Sequence, residues 1–224
     1  MKKAIVFAAI MLFQLVSAQD IDKALGDFTT VRAFDQIDVL LVKSNENRIV
    51  IKGSRKEDVE VVTKNDELKI KMKLTKLLAG EDISVTVYYK NNIDQVEASE
   101  GARIASQDTF KATAFEINAK EGAEIKLNID VKKLTSKASS GGILNITGKA
   151  DNHDIVITTG GIFKGRDLTT SQTAVSINAG GEADVKATEL VEARTRAGGD
   201  INIYGNPPKV NKKTFAGGRI EIKG

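Results

Sequence analysis

The chain has 224 residues, a formal charge of +3, a single histidine and no cysteine. Without thiols there is no disulfide framework, and one histidine cannot complete a zinc site built from His and Cys. Charges of both signs are interspersed and nearly balanced, 30 Asp and Glu against 33 Lys and Arg, which excludes the clustered basic field of a nucleic-acid surface.

The first element is a leader. Met1-Lys2-Lys3 is basic, residues 4–16 are apolar except for Gln14, and Val16-Ser17-Ala18 puts small residues before Gln19. That order predicts a secretory signal peptide over residues 1–18. About 13 apolar residues fall short of the roughly 20 that span a bilayer, no cysteine follows to carry a lipid, and no later stretch makes a membrane helix. Cleavage removes Lys2 and Lys3, so the formal charge drops from +3 to +1. The expected location is therefore outside the cytoplasm, periplasmic or extracellular at the cell surface, with no integral membrane segment left after cleavage.

Residues 19–92 read as a cap region of short strands over 34–42, 48–52, 59–64, 67–73 and 83–89. Polar turns such as Ser44-Asn45-Glu46-Asn47 and Lys64-Asn65-Asp66-Glu67 join them, and turns this short predict β-hairpins. Leu77-Leu78-Ala79-Gly80 is expected to be a packed apolar loop.

Residues 93–224 carry an internal repeat. One phrase recurs as Glu100-Gly101-Ala102, Glu121-Gly122-Ala123, Ser140-Gly141-Gly142, Thr159-Gly160-Gly161, Ala179-Gly180-Gly181, Ala197-Gly198-Gly199 and Ala216-Gly217-Gly218. Its first glycines lie 21, 19, 19, 20, 18 and 19 residues apart. Apolar residues alternate with polar ones on both flanks, as in Ile155 and Ile157 before the phrase and Ile201 and Ile203 after it. Each unit is thus strand, glycine corner, strand. A unit of this size cannot bury a core alone, but stacked units can, each strand pairing with its equivalent one rung along. An antiparallel sandwich with glycine turns would not hold one period and one flanking pattern seven times. The predicted fold is therefore all-β: a parallel β-helix, or solenoid, of about seven coils with an N-terminal β-hairpin cap region, the two forming one continuous unit.

Three stretches resemble a family of exported proteins described as "putative auto-transporter adhesin, head GIN domain". They are the strand Val31-Arg32-Ala33-Phe34-Asp35-Gln36-Ile37-Asp38-Val39, the glycine phrases from Gly101 onward, and the ending Ile203-Tyr204-Gly205-Asn206-Pro207-Pro208-Lys209-Val210 with Gly217-Gly218. The likeness covers about residues 31–224. It implies a β-helical exported domain. Members typically carry Ser before the glycine, where this chain often has Glu, Thr or Ala.

No residue is assigned a catalytic, cofactor or metal role, and no cofactor is expected. Any triad using histidine must pass through His153, which lies in the polar stretch Ala150-Asp151-Asn152-His153-Asp154 and is expected to be a solvated turn residue. If the coils stack, Arg103, Glu124, Ile143, Ile162, Glu182, Asp200 and Arg219 form one column, with Glu182 and Asp200 on adjacent rungs. The expected reading is an outward charged ladder that keeps the rod soluble; paired carboxylates or a bound calcium ion are the chemical alternatives. Tyr88, Tyr89, Phe163, Tyr204 and Phe215 are scattered rather than aligned as a sugar platform, with one of the two adjacent tyrosines expected inward and one outward. The expected function is non-catalytic binding of an envelope glycan or protein. A polysaccharide-active enzyme and a purely structural or assembly module are the alternatives. A bare solenoid end after the last glycine strand also predicts a homodimer through that end.

Overall fold

The computed structural model describes residues 20–223. The leader expected over residues 1–18 lies outside them. Strands make up 68% of the structure, in a β-solenoid of about seven turns. Every strand belongs to one 16-stranded sheet.

Eight short strands come first: β1 (Ile21–Ala24), β2 (Thr30–Ala33), β3 (Asp38–Lys43), β4 (Arg48–Lys52), β5 (Val59–Lys64), β6 (Glu67–Met72), β7 (Ser84–Tyr89) and β8 (Gln95–Ala98). Five long strands follow, β9 (Arg103–Lys120), β10 (Glu124–Ser139), β11 (Ile143–Thr158), β12 (Ile162–Asn178) and β13 (Glu182–Arg196). Three short strands close the chain, β14 (Asp200–Tyr204), β15 (Lys209–Phe215) and β16 (Arg219–Ile222).

Each long strand is one whole winding between two glycine corners, and β9 to β13 pair in parallel. Alternation puts every second side chain inside. One inward ladder runs Ile104, Ile125, Leu144, Phe163, Ala183 and Ile201, in register and buried at each rung. Burying a large aliphatic or aromatic side chain contributes about 1.5–3 kcal/mol, an upper bound for compact unfolded states. Within a winding the chain bends where two successive side chains face solvent, at Lys132-Lys133 in β10 and Asp151-Asn152 in β11. Each bend shifts the in–out phase by one residue, so the residue after it points inward.

The glycine phrases stack along one edge. The amide of Gly101 donates to the carbonyl of Glu121 (2.9 Å), that of Gly122 to Ser140 (3.0 Å) and that of Gly141 to Thr159 (3.2 Å). Further along the edge those of Gly160 and Gly198 donate to Gly180 and Gly217 (3.3 Å each) and that of Ala179 to Arg196 (3.0 Å). The two glycines of a doublet are required for different reasons. Gly141 has φ +75 and open space where a Cβ would stand, so its demand is the left-handed backbone. Gly142 is not left-handed, but a Cβ there would fall 2.5 Å from the Ala119 carbonyl carbon and nearer still to its oxygen. The residue before the doublet is left-handed too, as at Ser140 with φ +50.

The N-terminal third does more than cover an end. Strand β2 pairs in parallel with both β6 and β8, and β3 with both β7 and β9. The winding of residues 30–43 is therefore inserted between that of residues 67–89 and the first glycine winding. Asp35-Gln36 forms its corner, with φ of 59 and 65, and the Gln36 amide donates to the Glu100 carbonyl at 2.9 Å. The hairpin expected around Asn65-Asp66 joins antiparallel β5 and β6, with both turn residues left-handed. Antiparallel β4 and β1 extend the other arm beyond β7. At the opposite end, β15 and β16 form the last described rung, each paired on one side, to β13 and β14. There Lys212 takes the inward position of the ladder, in register with buried Ala193, but is itself exposed at this open edge, and its Nζ donates to the Ile220 carbonyl at 3.2 Å. An inward lysine on an edge strand disfavours further strand addition.

Candidate functional site

The solenoid presents long outward columns of side chains, and the column anticipated from the repeat exists. Arg103, Glu124, Ile143, Ile162, Glu182, Asp200 and Arg219 follow one another in register. The fold adds Asp38 beside Arg103. Arg103 grips Asp38 with two bonds, Nε to Oδ1 at 2.5 Å and Nη2 to Oδ2 at 3.0 Å. Arg219 Nε lies 3.3 Å from Asp200 Oδ1 and 3.5 Å from Glu221 Oε1. Glu182 and Asp200 do fall on adjacent rungs. Asp200 is thus engaged by Arg219 and Asp38 by Arg103, while Glu124 and Glu182 have no ion-pair partner among the described residues and Ile143 and Ile162 interrupt the charges. Among the described residues no three His, Cys, Asp or Glu side chains are grouped to hold a metal ion, and no helix is long and apolar enough to cross a membrane.

His153 corrects the sequence reading. It is 2% exposed, because the bend at Asp151-Asn152 turns the following side chain inward. It sits in register between Leu134 and Thr173. Its Nε2 is 2.8 Å from Ser136 Oγ, and its ring lies 5.0 Å from that of Phe163. Burial lowers its pKa to about 3, so the imidazole is neutral and structural at ordinary pH.

The loop at Leu77-Leu78-Ala79-Gly80 also departs from expectation. Leu74, Leu77 and Leu78 are exposed, at 78, 54 and 55%. Asp35, itself buried, closes the loop at both ends: its carboxylate accepts the amides of Met72 (2.9 Å) and Leu78 (3.0 Å). Its backbone carbonyl accepts the Gly80 amide at 3.1 Å. The loop is thereby held out from the wall instead of folding onto the core.

Sequence reasoning missed the most buried charge cluster, because its members come from four stacked strands, β6, β2, β8 and β9, distant in sequence. Glu97 accepts Arg32 Nη2 at 2.9 Å and lies 3.0 Å from Lys120 Nζ, and Arg32 Nη1 reaches Glu67 at 3.2 Å. Burial pushes the Glu97 carboxyl up, but the hydrogen bonds from Arg32 and Lys120 prevail and hold it below the ordinary range. Burial pushes Glu100 up, reinforced by Asp35 and Glu121 nearby. Of the adjacent tyrosines, Tyr89 points in and stacks on Phe110 at 5.7 Å, while Tyr88 faces out under the Arg48 guanidinium at 4.3 Å. Burial, then the charge of Asp108, raises the Tyr89 phenol. Phe163 is buried and Phe215 is 67% exposed.

The architecture and its outward columns define the class: a single-sheet parallel β-solenoid capped at one end by antiparallel strands. The model of the family described as "putative auto-transporter adhesin, head GIN domain" matches residues 27–207, and the chain belongs to that family. Among solved structures it is similar to a "putative adhesin" from Bacteroides fragilis, with TM-score 0.84 and 16% identity over 92% of this chain and 96% of that one. It is also similar to a "putative adhesin" from Parabacteroides distasonis, with TM-score 0.73, 18% identity and the same two coverages of 92% and 96%. A "putative lipid binding protein" from Parabacteroides distasonis matches with TM-score 0.70 and 15% identity, again over 92% and 96%. At these identities the likeness concerns the fold. No curated protein matches.

Proposed function

We propose that this chain is an exported envelope protein, periplasmic or at the cell surface, whose solenoid is a rigid non-catalytic scaffold for binding an envelope glycan or protein. The observation that carries the reading is the register of the outward columns. Parallel strands place equivalent side chains about 4.8 Å apart along the rod, a spacing suited to repeated contacts with an extended partner. Adhesion-type family membership supports the same reading. The leader over residues 1–18 supports export, which the N-terminus of the protein recovered from cells tests: a chain beginning at Gln19 is expected, and a retained Met1 contradicts it. For function, the purified mature chain is screened against arrays of envelope glycans and proteins, with polysaccharide turnover measured alongside. Specific capture without turnover is the expected result. Hydrolysis or lyase activity abolished by E182Q/D200N would instead establish the carboxylate enzyme reading.

Lys212 bears on partners of a second kind. Its place in the inward ladder weighs against the end-to-end homodimer anticipated from a bare solenoid end, so the rod is expected to meet its partner through its sides.

A further inference from the structure

The last two rungs carry an arrangement of charge that the fold itself does not need. On β13 and β15, Arg194 is in direct register with Lys213, and Arg196 with Phe215. All four point outward, since the intervening Thr195 continues the buried ladder and Thr214 stands in register with it. Like charges directly opposed on neighbouring strands destabilise a sheet. Elsewhere on the rod cations are either paired, as Arg103 with Asp38, Lys149 with Asp130, Lys133 with Asp154 and Arg219 with Asp200, or stand opposite neutral or acidic residues, as Lys126 opposite Asn145 and Lys164 opposite Asp184. Here the one carboxylate within ion-pair range is Glu192, 3.9 Å from Arg194, and among the described residues Arg196 and Lys213 have none. Beside these cations Phe215 leaves its ring largely in solvent. An exposed large aromatic side chain set among unpaired cations has the two components that recognise an acidic sugar: a flat apolar face for the ring C–H groups, and donors for the carboxylate or ester oxygens.

Resting on the reading of the chain as a glycan- or protein-binding scaffold, we infer that Arg194, Arg196, Lys213 and Phe215 form a binding site for an acidic polysaccharide. The anion relieves the opposition of Arg194 and Lys213 by bridging them, and Phe215 supplies the stacking surface that makes the site a sugar site rather than a general anion patch.

The test is calorimetric titration of the mature protein with oligogalacturonate, a neutral galacto-oligosaccharide and inorganic polyphosphate, at low and high salt. Oligogalacturonate is expected to bind and the neutral sugar not to. R194A/K213A is expected to weaken binding at least about tenfold, the loss of charge-assisted hydrogen bonds, and to flatten its salt dependence. F215A should weaken it while leaving the salt dependence in place. The control K126A/K164A, which removes equal charge from another face, should leave affinity unchanged. Thermal melting of R194A/K213A at or above the parent temperature shows that the loss is not unfolding. The inference is overturned by absence of oligogalacturonate binding, by an equal loss in the control, by no effect of F215A, or by tighter binding of polyphosphate than of the sugar. If R194A/K213A keeps all array capture, the inference fails while the binding scaffold stands; if the parent captures nothing, the scaffold reading fails as well.

Discussion

Substituting the two glycines of one corner separately should divide their costs. In G141A the new methyl meets open space, so the penalty is that of an L-residue held left-handed at φ +75, about 1–2 kcal/mol. In G142A the methyl would stand 2.5 Å from the Ala119 carbonyl carbon, where about 3.4 Å is the ordinary limit of contact, so the rungs must part by roughly 1 Å. That displacement loosens the bonds that cross these rungs, the Ile143 amide to Ala123 (2.8 Å) and the Gly122 amide to Ser140 (3.0 Å). Each bond contributes about 0.5–1.5 kcal/mol, and strain in the stacked corner adds to it, so a total near 3 kcal/mol or more is expected. Urea unfolding followed by circular dichroism gives both values. G141N serves as a further discriminator, because Asn tolerates the left-handed region and should recover most of the G141A loss. A G142A protein as stable as G141A, or more stable, would refute the assignment of close approach to the second glycine.

Three other outcomes follow from the same structure. In its unfolded state His153 takes up a proton below about pH 6.5, whereas the folded protein keeps it neutral down to about 3. The unfolded chain thus binds more protons in that window, and stability declines on acidification by up to about 1.4 kcal/mol per pH unit from this group; H153L, flanked by Leu134, should lose that slope, and identical acid profiles for the two proteins would contradict it. Replacing Lys212 by valine restores an apolar inward rung, so K212V is expected to associate in sedimentation velocity at concentrations where the parent is monomeric; equal behaviour of both would remove Lys212 as the guard of that end. D35A deletes the acceptor of two loop amides, and limited proteolysis should then cut first between residues 73 and 79; an unchanged cleavage pattern would show that the loop is held by other means.

The repeat is legible because every one of the seven corners carries a left-handed glycine, and five of them a second glycine after it, at one nearly constant period. The corner at Asp35-Gln36 left none, since Asp and Gln take the same left-handed pair of conformations without a glycine. Its winding lies out of sequence order, between residues 67–89 and the first glycine corner, and pairing between distant segments has no local signature. His153 reads as solvated because Asp151, Asn152 and Asp154 around it are polar, whereas the bend that shifts the in–out phase turns it inward. The Asp38–Arg103 pair and the Arg194–Lys213 opposition depend on register between windings, which periodicity locates only to within a residue or two. Where a column stays at a fixed offset from the glycine, as for Glu182, Asp200 and Arg219, position is legible, while the ion pair of Arg219 with Asp200 emerges only from the fold.

The stacking of the corners is open to one direct measurement, since the chain has no native cysteine to interfere with labelling. Spin labels are placed in pairs at Glu121 with Ala179, Glu121 with Ala197, and Glu121 with Ala216, and the distances are read by pulsed electron resonance. Corners three, four and five rungs apart should give separations near 14, 19 and 24 Å, rising by one strand spacing per winding. Distances that fail to rise in that order, or that scatter independently of rung number, would contradict a continuous parallel solenoid and, with it, the binding columns that depend on its register.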